Sequence, residues 1–271
     1  MKWVTRCPAK INLFLAVGPP ETNGYHPIRT LFQAISLADT LTVKLAESPS
    51  LTCNWPGLPA ENTLTRVLRL IQEYVDLPPL AITLHKEIPA ESGLGGGSSN
   101  AAGLLRILSR VGPALEPHFV ADVAAAVGAD VPFFLVGGRA RGEGYGEQLT
   151  PLADAATLEL VIVRPKVGVS TPAAYRALDQ EPRDWRNFPS DPLDLYNDFE
   201  RVAPCLCGEV AERLVLAGAE KALLSGSGSA VYGVFSTVEA ADRAATRLDR
   251  EALGQVWRAH TITRQESLWI S

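Results

Sequence analysis

The chain is poor in cysteine: 271 residues carry four, Cys7, Cys53, Cys205 and Cys207. Only Cys205 and Cys207 are close together, and their C-x-C spacing has no second pair to complete a metal site. The four therefore read as reduced thiols of a cytoplasmic protein, which excludes a disulfide framework. No Asn-x-Ser/Thr acceptor occurs, in keeping with the same compartment. No apolar run reaches the roughly 18 residues that a membrane-spanning helix needs. Lys2, Arg6 and Lys10 precede the apolar run Ile11 to Gly18 as in a secretion signal, but Asn12 interrupts it and Pro19-Pro20 stands where cleavage would fall. Positive charge is not in excess either: 25 Lys plus Arg against 30 Asp plus Glu leave a net charge of −5. That excludes a general nucleic-acid coat and a polybasic membrane surface. It leaves room for an anionic small molecule held by a local loop.

What is present is the balance of a globular protein, 46% hydrophobic and 20% charged. The length suits one large domain or two modest ones with a core that needs no staples. Residues 2–18 read as two short strands broken at Pro8, residues 19–27 as a loop, and 28–46 as strand interrupted near Ala38-Asp39. A helix follows Asn62 or Thr63, with Leu64, Val67, Leu68, Ile71 and Val75 at helical spacing. A strand is expected over 80–88, helices behind residue 100 and over 117–127, and a hairpin over 137–150. After a boundary near residue 153 come a strand at 158–163, a helix after Ser170-Thr171-Pro172, and a Pro-rich polar stretch at 179–192. A helix near 204–216, strands at 221–224 and 230–235, a helix near 238–250 and a terminal strand complete the chain. Strands and helices mixed in both halves point to an α+β fold.

The most informative segment is Gly93-Leu94-Gly95-Gly96-Gly97-Ser98-Ser99-Asn100, with Ala101, Leu104, Leu105 and Leu108 marking a helix behind it. Consecutive glycines let backbone approach a ligand and let N–H groups converge. A helix starting at Ser98 or Ser99 adds free N–H groups, which together make an anion site, most naturally for phosphate. The helix dipole contributes only about 0.3–1 kcal/mol when exposed, so directed N–H bonds must supply most of the binding. It is not a P-loop, because the chain has no Gly-Lys pair. It is not a dinucleotide fingerprint, because counting from Gly93 and Gly95 places Ser98 where the third glycine belongs.

Three separated segments give the chain a family likeness: Pro8-Ala9-Lys10-Ile11-Asn12-Leu13, the Gly93 to Ala102 loop and helix, and Leu224-Ser225-Gly226-Ser227-Gly228-Ser229-Ala230. Together they resemble the GHMP kinases. Gly24-Tyr25-His26 and Gly128-Ala129-Asp130-Val131-Pro132-Phe133-Phe134 resemble the branch that phosphorylates a cytidine-diphosphate-linked alcohol, CDP-methylerythritol. The resemblance implies a two-lobed α+β fold. A ribosomal-protein-like α/β domain for ATP would span 1–153, and a ferredoxin-like α+β domain would span 154–271. The last strand, about 262–271, would pack back on the first domain. One departure stands out: Glu91-Ser92 occupies positions where the family has small or glycine residues, and Glu91 is expected to face solvent.

The resemblance also implies roles. Asp130 would be the catalytic base and Lys10 the second catalytic residue. The chemistry agrees: a hindered alcohol must lose its proton as it attacks a γ-phosphoryl group, and an ammonium offsets the charge that develops. ATP would lie along Pro89 and Gly93 to Asn100 (Gly93, Leu94, Gly95, Gly96, Gly97, Ser98, Ser99, Asn100), bordered by Asn62, Thr63 and Lys86. Ser98 and Ser99 would sit near the phosphates or Mg²⁺, whose main ligands would be phosphate oxygens and water. Asn12, Tyr25, His26, Thr171 and Tyr175 would take the acceptor, with Tyr25 and Tyr175 closing on cytosine from two sides. A small-molecule substrate, no nucleic acid, no membrane and a monomer or weak homodimer complete the expectation. Homoserine or mevalonate kinase activity, and a silent nucleotide-binding sensor, stay open as alternatives.

Overall fold

A computed structural model describes residues 1–111, 114–191 and 193–271. In chain order the elements are β1 (Lys2–Val17), β2 (Ile28–Leu45), β3 (Ser50–Cys53), α1 (Thr63–Gln72), β4 (Leu80–His85), α2 (Gly96–Leu108), α3 (Pro117–Val127), α4 (Val131–Val136), β5 (Arg139–Glu143) and β6 (Gln148–Pro151). Then follow β7 (Glu159–Pro165), α5 (Thr171–Leu178), β8 (Tyr196–Asn197), α6 (Cys205–Leu216), β9 (Lys221–Leu224), β10 (Val231–Phe235), α7 (Val238–Glu251), β11 (Gly254–His260) and α8 (Arg264–Ser267). Among the described residues one sheet runs β3-β4-β2-β1-β8, with β5 and β6 continuing from β2, and a second runs β11-β7-β10-β9. The second is antiparallel throughout, with its four strands in sequence order 4-1-3-2 and helices between them, which is the ferredoxin-like arrangement. The expected boundary at 153 falls in the unpaired stretch 152–158 between the sheets.

Residues 2–18 make one bulged strand, not two short ones. Pro8 has no N–H to give to a ladder, and the pairing register shifts between Pro8 and Ala9, where Ser36 and Leu37 of β2 have no partner. β2 likewise runs on through Ala38-Asp39. The shift re-aims the side chains of β1. Before it, Thr5 and Cys7 pack against α2 at Gly103. After it, Ile11 and Leu13 join the apolar layer between the two sheets, while Lys10 and Asn12 face the glycine loop.

Three apolar clusters hold these layers. One lies between the first sheet and α1–α4, one between the sheets, and one between the second sheet and α5–α7. α1 shows how the local sequence starts an element: Asn62 and Thr65 form a reciprocal capping box, and Leu64, Val67 and Ile71 face inward. The chain end differs from expectation. The strand is β11, in the second sheet; residues beyond it return to the first sheet through two isolated bridges, Thr261 to Ile35 and Ile270 to Thr5, with the short α8 between them. All four cysteines are free, and burial pushes the Cys7 thiol up to about 11. Among the described residues no helix is long and apolar enough to cross a membrane.

The β1–α2 contact sets a tight limit on Gly103. A Cβ there would stand 2.5 Å from Cys7 Sγ. Gly103→Ala gains about 1 kcal/mol of helix propensity but meets an overpacking cost of about 1–3 kcal/mol. The variant should unfold at lower urea than wild type, and adding Cys7→Ala should restore the midpoint. Unaltered stability of Gly103→Ala would contradict the packing.

Candidate active site

α2 begins at Gly96, two to three residues before the Ser98 or Ser99 start that the sequence suggests. Gly95 is its N-cap at φ +74°, and Gly96, Gly97 and Ser98 form its first turn. The N–H of Ser99 is the first committed inside the helix, to Gly95 O at 2.9 Å. The preceding N–H groups are the free ends that an anion can take. Gly93, at φ +75°, is required for a second reason: a side chain there would collide with the Ser225 carbonyl across the gap between the lobes. The two small-residue loops meet here, with Ala230 N–H donating to Ser92 O at 3.0 Å and Ser225 Oγ to Gly93 O at 3.1 Å.

Lys10 is anchored at this junction. Its Nζ donates to Gly93 O and to Asn12 Oδ1, each at 2.7 Å, and lies 3.8 Å from Asp130 Oδ2. Burial lowers its pKa below the ordinary lysine value, and the Asp130 charge works against that shift. Asn12 is spent on orientation, since its Nδ2 donates to Thr30 Oγ1 at 2.7 Å. Asp130 precedes α4 but its side chain makes no capping bond, so the carboxylate, about one-third exposed, is left for other use.

These groups open into a cleft of about 1170 Å³ lined by both lobes. Of the sequence-derived site residues it brings together Lys10, Asn12, Tyr25, His26, Asn62, Thr63, Lys86, Pro89, Gly93, Gly95, Gly96, Gly97, Ser98, Asn100, Asp130, Thr171 and Tyr175. Leu94 and Ser99 are not on its wall. Leu94 is in the core between the sheets and offers only its carbonyl, which accepts from Lys10 N–H. Ser99 is buried on the inner face of α2, its hydroxyl without a partner among the described residues.

Several other side chains are committed to the scaffold. Asn62 caps α1, and Thr63 Oγ1 donates to Gly97 O at 2.8 Å. Lys86 and Asn100 converge on the fully buried Asp39, at 2.5 and 2.8 Å. Asp39 also accepts the N–H groups of Glu87 and Ile88. It is the residue that sequence reasoning missed here; its only signal was a lone carboxylate in an apolar strand. Trp55 and Leu58 were missed too, and with Leu64 and Leu84 they make the cleft apolar beyond the glycine loop.

At the opposite wall the two tyrosines have different neighbours. Tyr25 is exposed and packs on Tyr145 of the β5–β6 turn, with ring centroids 5.5 Å apart. The Tyr145 hydroxyl donates to Glu21 and accepts from Asn23, each at 2.6 Å, so the turn props the loop that carries Tyr25. Tyr175 packs on His26 at 4.9 Å and edge-on to Phe199. Burial, and then the Asp130 charge, push its pKa up to about 12. Thr171 Oγ1 and Ser227 Oγ share a hydrogen bond at 2.8 Å, which draws α5 to the second small-residue loop.

A glycine cradle at a helix N-terminus, a lysine–carboxylate pair beside it and a two-lobed α+β frame define a small-molecule phosphotransferase of the GHMP type. The family described as GHMP kinases N terminal domain matches residues 62–138. The chain is 39% identical to a 4-diphosphocytidyl-2-C-methyl-D-erythritol kinase of Moorella thermoacetica, over 88% of this chain and 92% of that relative. It is also 39% identical to the same-named protein of Geobacter metallireducens, over 90% and 94%. A crystal structure of 4-(cytidine 5'-diphospho)-2C-methyl-D-erythritol kinase superposes with a TM-score of 0.82 at 36% identity, covering 95% of this chain and 98% of that one. Homoserine kinase from Cytophaga hutchinsonii, at 19% identity and a TM-score of 0.70, shares the fold. The chain belongs to the GHMP kinases, in the family of the 4-diphosphocytidyl-2-C-methyl-D-erythritol kinases.

Glu91 is exposed, as expected from the sequence, but it holds φ at +53°, a left-handed conformation that glycine adopts without strain, and it lines the cleft. Glu91→Gly relieves about 1–2 kcal/mol of backbone strain against about 0.5–1 kcal/mol of glycine entropy. Removing a screened charge worth up to about 1 kcal/mol should tighten ATP binding by about two- to fivefold, with thermal stability held or raised. Calorimetric titration checks this; weaker ATP binding would contradict it.

Proposed function

We propose that the chain transfers the γ-phosphoryl group of ATP to the 2-hydroxyl of 4-diphosphocytidyl-2-C-methyl-D-erythritol, giving the 2-phosphate and ADP in the non-mevalonate supply of isoprenoid precursors. The observation that carries it is the Lys10–Asp130 pair, 3.8 Å apart, placed between the N-terminal turn of α2 and the Tyr25–His26–Tyr175 wall of one cleft. In this reading the N-terminal domain is 1–153 and the C-terminal domain 154–271. The apolar end at Trp55 and Leu58 receives the purine, and the free N–H groups of Gly96, Gly97 and Ser98 receive the phosphates. Tyr25 offers an exposed ring face and Tyr175 a fixed one to cytosine, each stack contributing about 1–3 kcal/mol.

Asp130 accepts the proton of the attacking hydroxyl. Lys10 holds positive charge against the transferring oxygens, with its ammonium fixed by Gly93 O and Asn12 Oδ1. The cleft also suits Mg²⁺ carried by ATP: Ser98 lines it at the glycine cradle, and the orphaned hydroxyl of Ser99 lies directly behind. Ser98 would hold the ion together with phosphate oxygens, and the ion would neutralise phosphate charge. We place the reaction in the cytoplasm, on a dissolved small molecule, with the chain acting as a monomer or weak homodimer.

A coupled ADP-release assay with the diphosphocytidyl alcohol, mevalonate and homoserine tests the reading. Turnover should require the first, and equal turnover of either other substrate would overturn the assignment. Asp130→Asn should lower kcat by at least about 10²-fold while ATP still binds, the range of a lost general base. Near-normal turnover would remove Asp130 from its role.

The sign of the pH effect follows from Lys10. Its lowered pKa means that the ammonium is lost earlier than in an ordinary lysine as pH rises. The alkaline limb of kcat/KM for ATP should therefore have its midpoint below the ordinary lysine value of 10.5, and Lys10→Arg should remove that limb. A limb unchanged in Lys10→Arg would assign it to another group.

A further inference from the structure

The wall that faces the acceptor contains a residue with a role of its own. His26 is buried, and its Nε2 lies 2.7 Å from Oδ1 of Asp179, the residue that ends α5. A carboxylate only accepts hydrogen bonds, so the proton in this contact is on Nε2. In the neutral tautomer that carries this proton Nδ1 is a lone-pair acceptor, and among the described residues Nδ1 has no hydrogen-bond partner.

Asp179 is itself fixed. Its N–H donates to Tyr175 O at 3.0 Å, and Arg183 Nη2 stands 3.7 Å from its Oδ1. Arg183 also donates to the carbonyls of Val17 and Gly18, at 2.9 and 3.1 Å, where the Tyr25-His26 loop leaves β1. One guanidinium thus holds the end of α5 to the root of the loop that presents His26. The Tyr175 ring, tilted 30° to the imidazole, sets its plane from the other side. His26, Tyr175 and Asp179 all line the cleft.

Cytosine carries a donor amine at N4 where uracil carries an acceptor oxygen, and the two bases also differ in which of them holds a proton at N3. A ring nitrogen locked as an acceptor matches the amine and opposes the oxygen. We propose that Asp179 is a positioning residue that sets the tautomer of His26, and through it the preference of the acceptor site for a cytidine over a uridine diphosphate alcohol. The proposal rests on the reading of the Tyr25–His26 wall as the nucleobase wall. In Asp179→Asn the new amide can donate to Nε2, which moves the ring proton to Nδ1, the form that suits uracil.

The test compares kcat/KM for the diphosphocytidyl alcohol and its diphosphouridyl counterpart at pH 8, above the ordinary imidazole value of about 6.5. Wild type should favour the cytidyl substrate. In Asp179→Asn the ratio should fall by at least about tenfold, through KM of the cytidyl substrate with kcat and KM for ATP nearly unchanged, as expected for one mismatched buried hydrogen bond. A strong wild-type preference that is lost in His26→Gln but kept in Asp179→Asn overturns the role of Asp179 alone. A wild type with no preference, unaffected by His26→Gln, overturns the nucleobase wall and the proposal with it. Should the Asp179 variants fail to fold, ¹⁵N spectra of the wild-type imidazoles, assigned by the signal lost in His26→Gln, read the tautomer directly. Protonation at Nε2 supports the proposal, and protonation at Nδ1 overturns it.

Discussion

The carbonyl of Gly93 accepts hydrogen bonds from the ammonium of Lys10 on β1 and the hydroxyl of Ser225 on the second lobe. Three parts of the chain far apart in sequence are joined at one oxygen. That oxygen is reachable only because residue 93 has no side chain to meet the Ser225 carbonyl. The same contact aims Lys10, closes the inner end of the cleft and sets how near the lobes stand. Because Lys10 is buried, its charge is supported by fixed dipoles rather than by water, the condition under which an ammonium is most effective toward an anion.

A net charge of −5 leaves room for an anion in the cleft, because the polar side chains around the glycine loop are mostly spent elsewhere. Lys86 is tied to Asp39, Asn100 to the same carboxylate, and Asn62 to the first turn of α1. What remains free at the first turn of α2 is backbone N–H, whose polarity does not depend on composition. Asp39, with no exposed surface, accepts from two backbone and two side-chain donors and so ties the end of β4 to the glycine-loop helix.

Legibility in the sequence followed the nature of each constraint. The glycine loop could be read because backbone geometry dictates its residue types, whereas Lys10 and Asp130 stood out only through the family resemblance. The start of α2 could not be placed, because Gly96 and Gly97 are poor helix formers held in the helix by tertiary contacts. Pro8 read as a break because a proline normally ends a ladder; β2 absorbs the missing bond with two unpaired residues, which local sequence does not reveal. Leu94 and Ser99 belong to the loop in sequence, yet the winding of the backbone turns their side chains inward. Tyr145 and Asp179 carried no local signal, since each acts through a partner more than 100 residues away.

The register shift at Pro8, the first of two in β1, separates segments of the strand that answer to different demands. Residues before Pro8 are set by the helix layer, and residues after it by the second sheet and the reaction centre. Sequence drift in one segment need not propagate to the other, so the fold can exchange core residues without retuning its chemistry. The same arrangement makes the strand sensitive to length: deleting one residue at the shift would turn Ile11 toward the cleft and Lys10 into the apolar layer between the sheets. Composition would barely change, yet the side chains lining the cleft would be exchanged through phase alone.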